Sequence, residues 1–286
     1  MANSLLVGTA GWSFEDWKGI VYPPDAGRDF KPLRYIADFY DCIEVNSSFY
    51  RIPAKKMMQS ILALAAHKPG FTFCVKLFQG FTHGAGKSLD KEAVAAFRTG
   101  IEPLLAANKL GAVLVQFPWS FRFDAAAREW VKKVAAAFPE VNKVLEVRHI
   151  SWGTEEAFSF MRDTGLNFCN IDQPASKTGI PPTTVLTGRT GYVRLHGRNS
   201  ENWFKKDAGR DARYDYYYSF KELDEWVVRI KELAARADTL FVITNNHYRG
   251  QGAANALQLM SRLLGKKVPV PAPMLEHFPE LKDING

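Results

Sequence analysis

Eight short apolar runs, each strand-like in composition and each followed by a segment of helical character, recur at roughly 25–50 residue intervals along the chain. They are Leu5–Gly8, Cys42–Asn46, Phe71–Lys76, Ala112–Gln116, the run opening at Lys143, Asn167–Asp172, Gly191–His196 and Thr239–Thr244. Strands separated by helices must pair in parallel, because the crossover returns each strand to the same end of the sheet. Eight such units in about 265 residues predict a single TIM-type (β/α)8 barrel, an α/β fold in which the first strand pairs with the last and no sheet edge remains. A doubly wound open sheet is the alternative, since alternation does not by itself enforce closure. No linker divides the chain, so the barrel is assigned to residues 1–265, followed by a Pro-rich tail, 266–286, without periodic pattern.

Helix ends are marked locally. Pro32 precedes a helix over Arg34–Tyr40, and the run from Ser47 to Pro53 leads into a helix through Met57 and Leu64. Ser88 is the expected cap of a helix with Val94, Phe97, Ile101, Leu104 and Leu105 on its inner face. Asp124 and Thr154 cap the next two, Gly165 ends the second of these, and Ser219-Phe-Lys-Glu222 is a capping box. The last helix runs to Gly265.

Composition narrows the function classes. The net charge of +7 is spread over scattered pairs, Lys132-Lys133, Lys205-Lys206 and Lys266-Lys267, which read as solvated basic faces rather than a nucleic-acid footprint. Cys42, Cys74 and Cys169 lie in or beside apolar runs with no CxxC spacing, which predicts reduced, buried thiols and a cytoplasmic setting without disulfides or structural zinc. The N-terminal residues carry no charged n-region, so no signal peptide is expected. No apolar run approaches the roughly 20 residues that span a bilayer, so no membrane partner is expected either.

In a barrel the C-terminal strand ends surround one mouth. Here they carry Glu44 and Asn46, Lys76, Gln116, Glu146 and Arg148, Asn170 and Asp172, Arg194 and His196, then Asn245, Asn246 and His247. Residues two apart share a strand face, so each pair is expected to face the same way. One reading is a structural network in which Glu44, Glu146 and Asp172 offset Lys76, Arg148 and Arg194. Buried ion pairs roughly break even in stability, which makes a ligand site the better explanation of six charges. Lys76, Arg148 and Arg194 would hold an anion, Glu146 or Glu44 would be the general base, and His196 the acid or electrophile. Asn46, Asp172, Asn245 and Asn246 complete the substrate contacts. A single divalent metal on Glu44, Glu146, Asp172 and His196 is a variant against which three cations in the same ring argue. The expected activity is on a small anionic substrate, as a phosphoester hydrolase or sugar-phosphate enzyme. The alternative is a non-catalytic binding barrel, with nucleic acid stacking on Trp203, Phe204, Tyr214 and Tyr216 among Lys205, Lys206, Arg210 and Arg213. Glu201, Asp207, Asp211 and Asp215 nearly cancel the charge of that loop, which suits a lid better. Trp12, Trp17 and Tyr50 are expected at the same mouth.

The same segments resemble a known family. Gly8-Thr-Ala-Gly-Trp-Ser-Phe with Trp17 and Tyr22-Pro23, Glu44-Val-Asn-Ser-Ser-Phe-Tyr-Arg-Ile-Pro53, Lys76 with Thr82-His83, and Gln116-Phe-Pro118 are similar to motifs of the YecE-like proteins, the domain-of-unknown-function family 72. Glu146-Val-Arg-His-Ile-Ser-Trp152, Tyr192-Val-Arg-Leu-His-Gly197, Tyr216-Tyr-Tyr-Ser-Phe-Lys-Glu-Leu223 and Asn245-Asn-His247 with Asn255-Ala256 extend the resemblance, in order, from residue 7 to 265. It implies a TIM-type barrel and no established reaction.

Overall fold

A computed structural model of the chain describes residues 4–84, 88–203, 205 and 209–286. Eight parallel strands close into a barrel in sequence order: β1 (Ser4–Ala10), β2 (Cys42–Val45), β3 (Thr72–Lys76), β4 (Leu110–Gln116), β5 (Lys143–Glu146), β6 (Asn167–Asp172), β7 (Thr190–Leu195) and β8 (Thr239–Thr244). The ring shuts where the sequence predicts, with Leu5 opposite Leu240 and Gly8 opposite Ile243. The helices are α1 (Pro32–Ile36), α2 (Ser47–Tyr50), α3 (Lys55–Leu64), α4 (Lys91–Ala106), α5 (Ala125–Ala137), α6 (Glu155–Asp163), α7 (Ser200–Trp203), α8 (Arg210–Arg213), α9 (Phe220–Ala234), α10 (Gln251–Leu264) and α11 (Met274–His277). Among the described residues no helix is long and apolar enough to cross a membrane.

Two apolar clusters follow from strand alternation. Residues facing outward, such as Val113, Val115, Val193 and Val242, pack with the helices in one large core. The residues between them face the barrel axis and form a second cluster, which holds the three cysteines with Leu114, Ile171, Tyr192 and Phe241. On β6 this parity is decisive, because Cys169 and Ile171 occupy the inner positions and Asn170 and Asp172 must therefore face out.

Local signals mostly hold. Asp124 and Thr154 accept backbone N–H groups as caps, and Ser219 and Glu222 form the reciprocal capping box. Gly165 turns the chain after α6 at φ 66°. The cap of α4 is Asp90 rather than Ser88, since its carboxylate accepts from the N–H of Glu92 and Ala93 (2.9 and 3.3 Å). The first helix starts at Pro32 itself and ends at Ile36. Beyond Gly265 the tail docks on the barrel, burying Val268, Val270, Met274 and Leu281 in the outer core.

Gly8 marks the tightest approach of β1 and β2. A Cβ there would lie 1.9 Å from the carbonyl oxygen of Cys42. Gly8→Ala is therefore expected to cost about 1–3 kcal/mol, because backbone rather than a flexible side chain must move. An unchanged urea midpoint would contradict the tight closure.

Candidate active site

The inner face turns polar at the C-terminal strand ends, and Arg194 of β7 lies at its centre. Its guanidinium donates to Glu44 Oε1 of β2 (2.7 Å) and also to Glu146 Oε2 of β5. All three side chains are essentially without solvent contact. Tyr192, two residues earlier on the same strand face, donates its hydroxyl to Glu44 Oε2 (2.9 Å). Arg148 follows the end of β5 and reaches back to Glu146 Oε1 through Nε and Nη2 (3.0 and 2.7 Å).

His196 completes the cluster. Asn245 Nδ2 donates to its Nδ1 (2.9 Å), which leaves the ring proton on Nε2, 3.2 Å from Glu146 Oε1. Burial, then the charge of Arg148, lowers the His196 pKa to about 3, so the ring is neutral at pH 7. Burial alone would raise the Glu146 pKa, but Arg194, Arg148 and His196 outweigh it and hold the carboxyl well below its ordinary value. Glu146 thus accepts from three side chains and lacks the basicity for proton abstraction, which corrects its expected role as general base. Glu44 accepts one donor on each oxygen, from Arg194 and Tyr192.

Lys76, at the end of β3, is different. Among the described residues its ammonium has no hydrogen bond and no carboxylate within 4.0 Å, although its backbone carbonyl accepts from Ser48 Oγ (2.7 Å). Its ammonium sits over the ring of Phe49, 3.9 Å from the centroid. Burial, then the neighbouring Arg194, lowers its pKa to about 7, with Glu146 and Glu44 opposing the change. His83, edge-on to the same Phe49 ring at 5.0 Å, has its own pKa lowered by burial, then by Lys76 and Arg148.

Above the cluster lies a cleft of about 180 Å³ lined by Trp119, Arg148, Trp203, Arg213 and Tyr214. Trp203 packs near His196 (6.0 Å) and Tyr214 (5.7 Å), while Arg148 lies 5.4 Å from the Trp203 ring. Tyr214 in turn packs on His247 (5.1 Å), whose carbonyl accepts from Trp17 Nε1 (2.8 Å). The segment bearing Trp203 and Tyr214 therefore roofs the mouth. Phe204, Lys206 and Asp207 lie outside the described residues, as does the side chain of Arg210.

A sequence model of the family described as "Protein of unknown function DUF72" matches residues 6–277. The chain belongs to the DUF72 family. It is 31% identical over 275 residues to the UPF0759 protein YunF of Bacillus subtilis (strain 168), covering 91% of this chain and 94% of that one. Among solved structures, a DUF72 family protein of Thermotoga maritima MSB8 superposes with a TM-score of 0.81 at 35% identity, over 92% of this chain and 100% of the other. A second, from Enterococcus faecalis V583, gives 0.80 at 24% identity, over 91% and 95%, and is similar in fold.

The DUF72 barrel gathers Glu44, Lys76, Glu146, Arg148, Arg194, His196 and Asn245 at one mouth, and leaves other expected residues elsewhere. Asp172 faces the helices, where it accepts from Arg198 Nε (3.0 Å) and Trp226 Nε1 (2.7 Å). Asn246 instead ties Tyr216 O and Asn255 to the strand end. Asn46 follows β2 and leads into α2, and its buried Oδ1 accepts no hydrogen bond among the described residues. Asn170 anchors Thr183 and Val185 outside the barrel. Of the expected aromatics, Trp17 is buried, Trp12 half-buried and Tyr50 largely exposed. With Asp172 turned away and two guanidiniums and a histidine donating to Glu44 and Glu146, the donor set does not fit a metal. Among the described residues no group of three or more His, Cys, Asp or Glu could hold one. Reasoning from strand ends missed Tyr192, Phe49 and Arg213. Tyr192 shares the period-2 face of Arg194, so alternation could have found it, whereas Arg213 has no such signal.

Two measurements test this electrostatic arrangement in the DUF72 barrel. Arg194→Met leaves two buried carboxylates without their shared partner and is expected to cost about 3–5 kcal/mol. A denaturant midpoint close to wild type would mean the pairs hold nothing together. The second concerns acid. The unfolded chain protonates His196 near its ordinary 6.5, whereas the folded chain resists until about 3. Stability contributed by the neutral ring is thus present above 6.5 and lost as pH falls, at about 1.4 kcal/mol per pH unit inside that window. His196→Gln should flatten the stability profile between pH 6 and 5 by about one proton; identical slopes would refute the assignment.

Proposed function

We propose that this barrel is an enzyme acting on a small anionic substrate at its C-terminal mouth, with a sugar phosphate as the best match. The observation that carries this reading is the charge count. Arg148, Arg194 and Lys76 face two carboxylates, Glu44 and Glu146, while His196 is neutral. The two arginines account for both carboxylates, and Lys76 is left over. A surplus cation in a partly desolvated mouth attracts an anion, and electrostatic interactions there are stronger than in water.

The roles follow from which atoms are engaged. Arg148 commits Nε and Nη2 to Glu146 and leaves Nη1 for a ligand in the cleft, with Arg213 across from it. Glu146 orients Arg148 and His196. Lys76 exchanges a proton near neutrality, the range in which general acid–base catalysis is efficient. Hydrolysis of a phosphoester needs an activated water, a task to which Glu146, held well below its ordinary proton affinity, is poorly suited. Chemistry on the sugar portion is therefore favoured. The inward packing of Trp203 and Tyr214 supports a lid over the substrate rather than a platform for nucleic acid. Three buried free thiols suit a reducing cytoplasm.

Sulfate, whose charge is constant near neutrality, provides the test. It is expected to stabilise the wild-type protein, by about 2.7 kcal/mol at a hundredfold excess over its dissociation constant. The gain should be larger below pH 7 than above it, because anion binding favours the protonated form of Lys76. Arg148→Met should keep only the general salting effect common to any protein. Equal stabilisation of both proteins would remove the anion site.

A further inference from the structure

Lys76 is placed for more than charge. It stands at the end of β3, half-buried within the ring of polar residues, and no acceptor among the described residues fixes its nitrogen. Charged or titratable groups face it from the surrounding elements: Glu44 of β2, Glu146 of β5 with Arg148 beyond it, Arg194 of β7 and His83 of the following loop. Both carboxylates are already bonded to arginines, so neither neutralises the ammonium at close range. Phe49 packs its ring face against the nitrogen, 3.9 Å from the centroid. Asn46, just beyond the end of the neighbouring strand β2, has a buried oxygen with no donor. A buried amine beside arginines, with no carboxylate of its own, is disfavoured in its charged form, which is the environment that activates lysine as a nucleophile.

We propose that Lys76 is a covalent catalyst whose nitrogen condenses with the carbonyl carbon of a phosphorylated aldehyde or ketone held at the mouth. This rests on the anionic-substrate reading and specifies the substrate class. The neutral amine adds to the carbonyl carbon, forming the C–N bond as the C=O π bond breaks toward oxygen. Both amine hydrogens then leave on that oxygen as water, which gives the imine without any oxidant or reductant. Protonated from solvent, the imine withdraws electrons from an adjacent C–H bond, whose proton passes to water; the resulting enamine takes a proton back at the same carbon on either face, and hydrolysis returns the amine and the α-epimer of the carbonyl compound. Arg148 would hold the phosphate while the carbonyl end reaches Lys76.

Pyridoxal 5′-phosphate is a suitable probe, since it joins an aldehyde to a phosphate and its imine is fixed by borohydride reduction. At pH 7 about half of Lys76 is neutral, against roughly one part in 10³ to 10⁴ for an ordinary lysine. The full-length protein should therefore take up one equivalent, mapped by mass spectrometry to Lys76, about 10–100 times faster than its surface lysines, since the lower basicity of the amine offsets part of the gain in its neutral fraction. Sulfate should slow this labelling, and pyridoxal without the phosphate should react much more slowly. Lys76→Arg, which keeps the charge, should lose the adduct and keep its stabilisation by sulfate. Labelling confined to surface lysines, with sulfate still stabilising the protein, would overturn the covalent role and leave the anion site intact. Equal labelling of Lys76 by both aldehydes, untouched by sulfate, would overturn the proposed substrate class. Absence of both labelling and stabilisation would remove this inference together with the function it rests on.

Discussion

The double engagement of Arg194 governs the upper half of the barrel. One guanidinium joins a carboxylate of β2 to a carboxylate of β5, strands on opposite arcs of the ring. A closed parallel barrel ordinarily fills its interior with branched apolar side chains in layers. Here the lower interior does so, and the layer above is an ionic cross-brace. Burying two carboxylates and a guanidinium is tolerable because nearly every donor and acceptor is matched, with Tyr192 and His196 taking positions the arginines leave.

That matching also divides labour within the site. The groups that look most like catalysts in a list of residues, Glu44 and Glu146, both hold Arg194 in place. Glu146 fixes the plane of Arg148 and the tautomer of His196, and Asn245 fixes the opposite edge of the same ring. What is left with freedom and an unusual proton affinity is Lys76. A rigid ionic frame around one uncommitted amine is a familiar physical recipe for reactivity, since the frame keeps its charges in place while the amine alone changes state.

Much of this architecture was legible in the sequence, for identifiable reasons. Strand and helix alternation, together with caps such as Asp124, Thr154 and Ser219, set the order of the elements because those signals are local, while closure of the ring rested on the count of eight strands. Glu146, Arg148, Arg194 and His196 could be placed at one mouth because polar residues two apart inside an apolar strand are costly without a purpose. The same reasoning failed for Asn170 and Asp172. Their strand has the opposite parity, and the partners that satisfy them, Thr183, Arg198 and Trp226, come from segments whose position the sequence does not reveal. Nor could it reveal that Glu146 accepts from three side chains, because that is a property of four side chains meeting in space. Ser88 and Asp90 are both acceptable caps by residue type, and only the path of the backbone selects between them.

The three cysteines lie inside the ring, each without solvent exposure, and burial pushes the thiols of all three upward, away from the reactive thiolate. Because they sit inside the barrel on β2, β3 and β6, a reagent reaches them only when the barrel loosens around them. The molecule therefore contains its own clock for breathing. Modification of Cys42 or Cys74 times the parting of one flank, Cys169 times the other, and any difference between them reveals which seam of the closed sheet yields first.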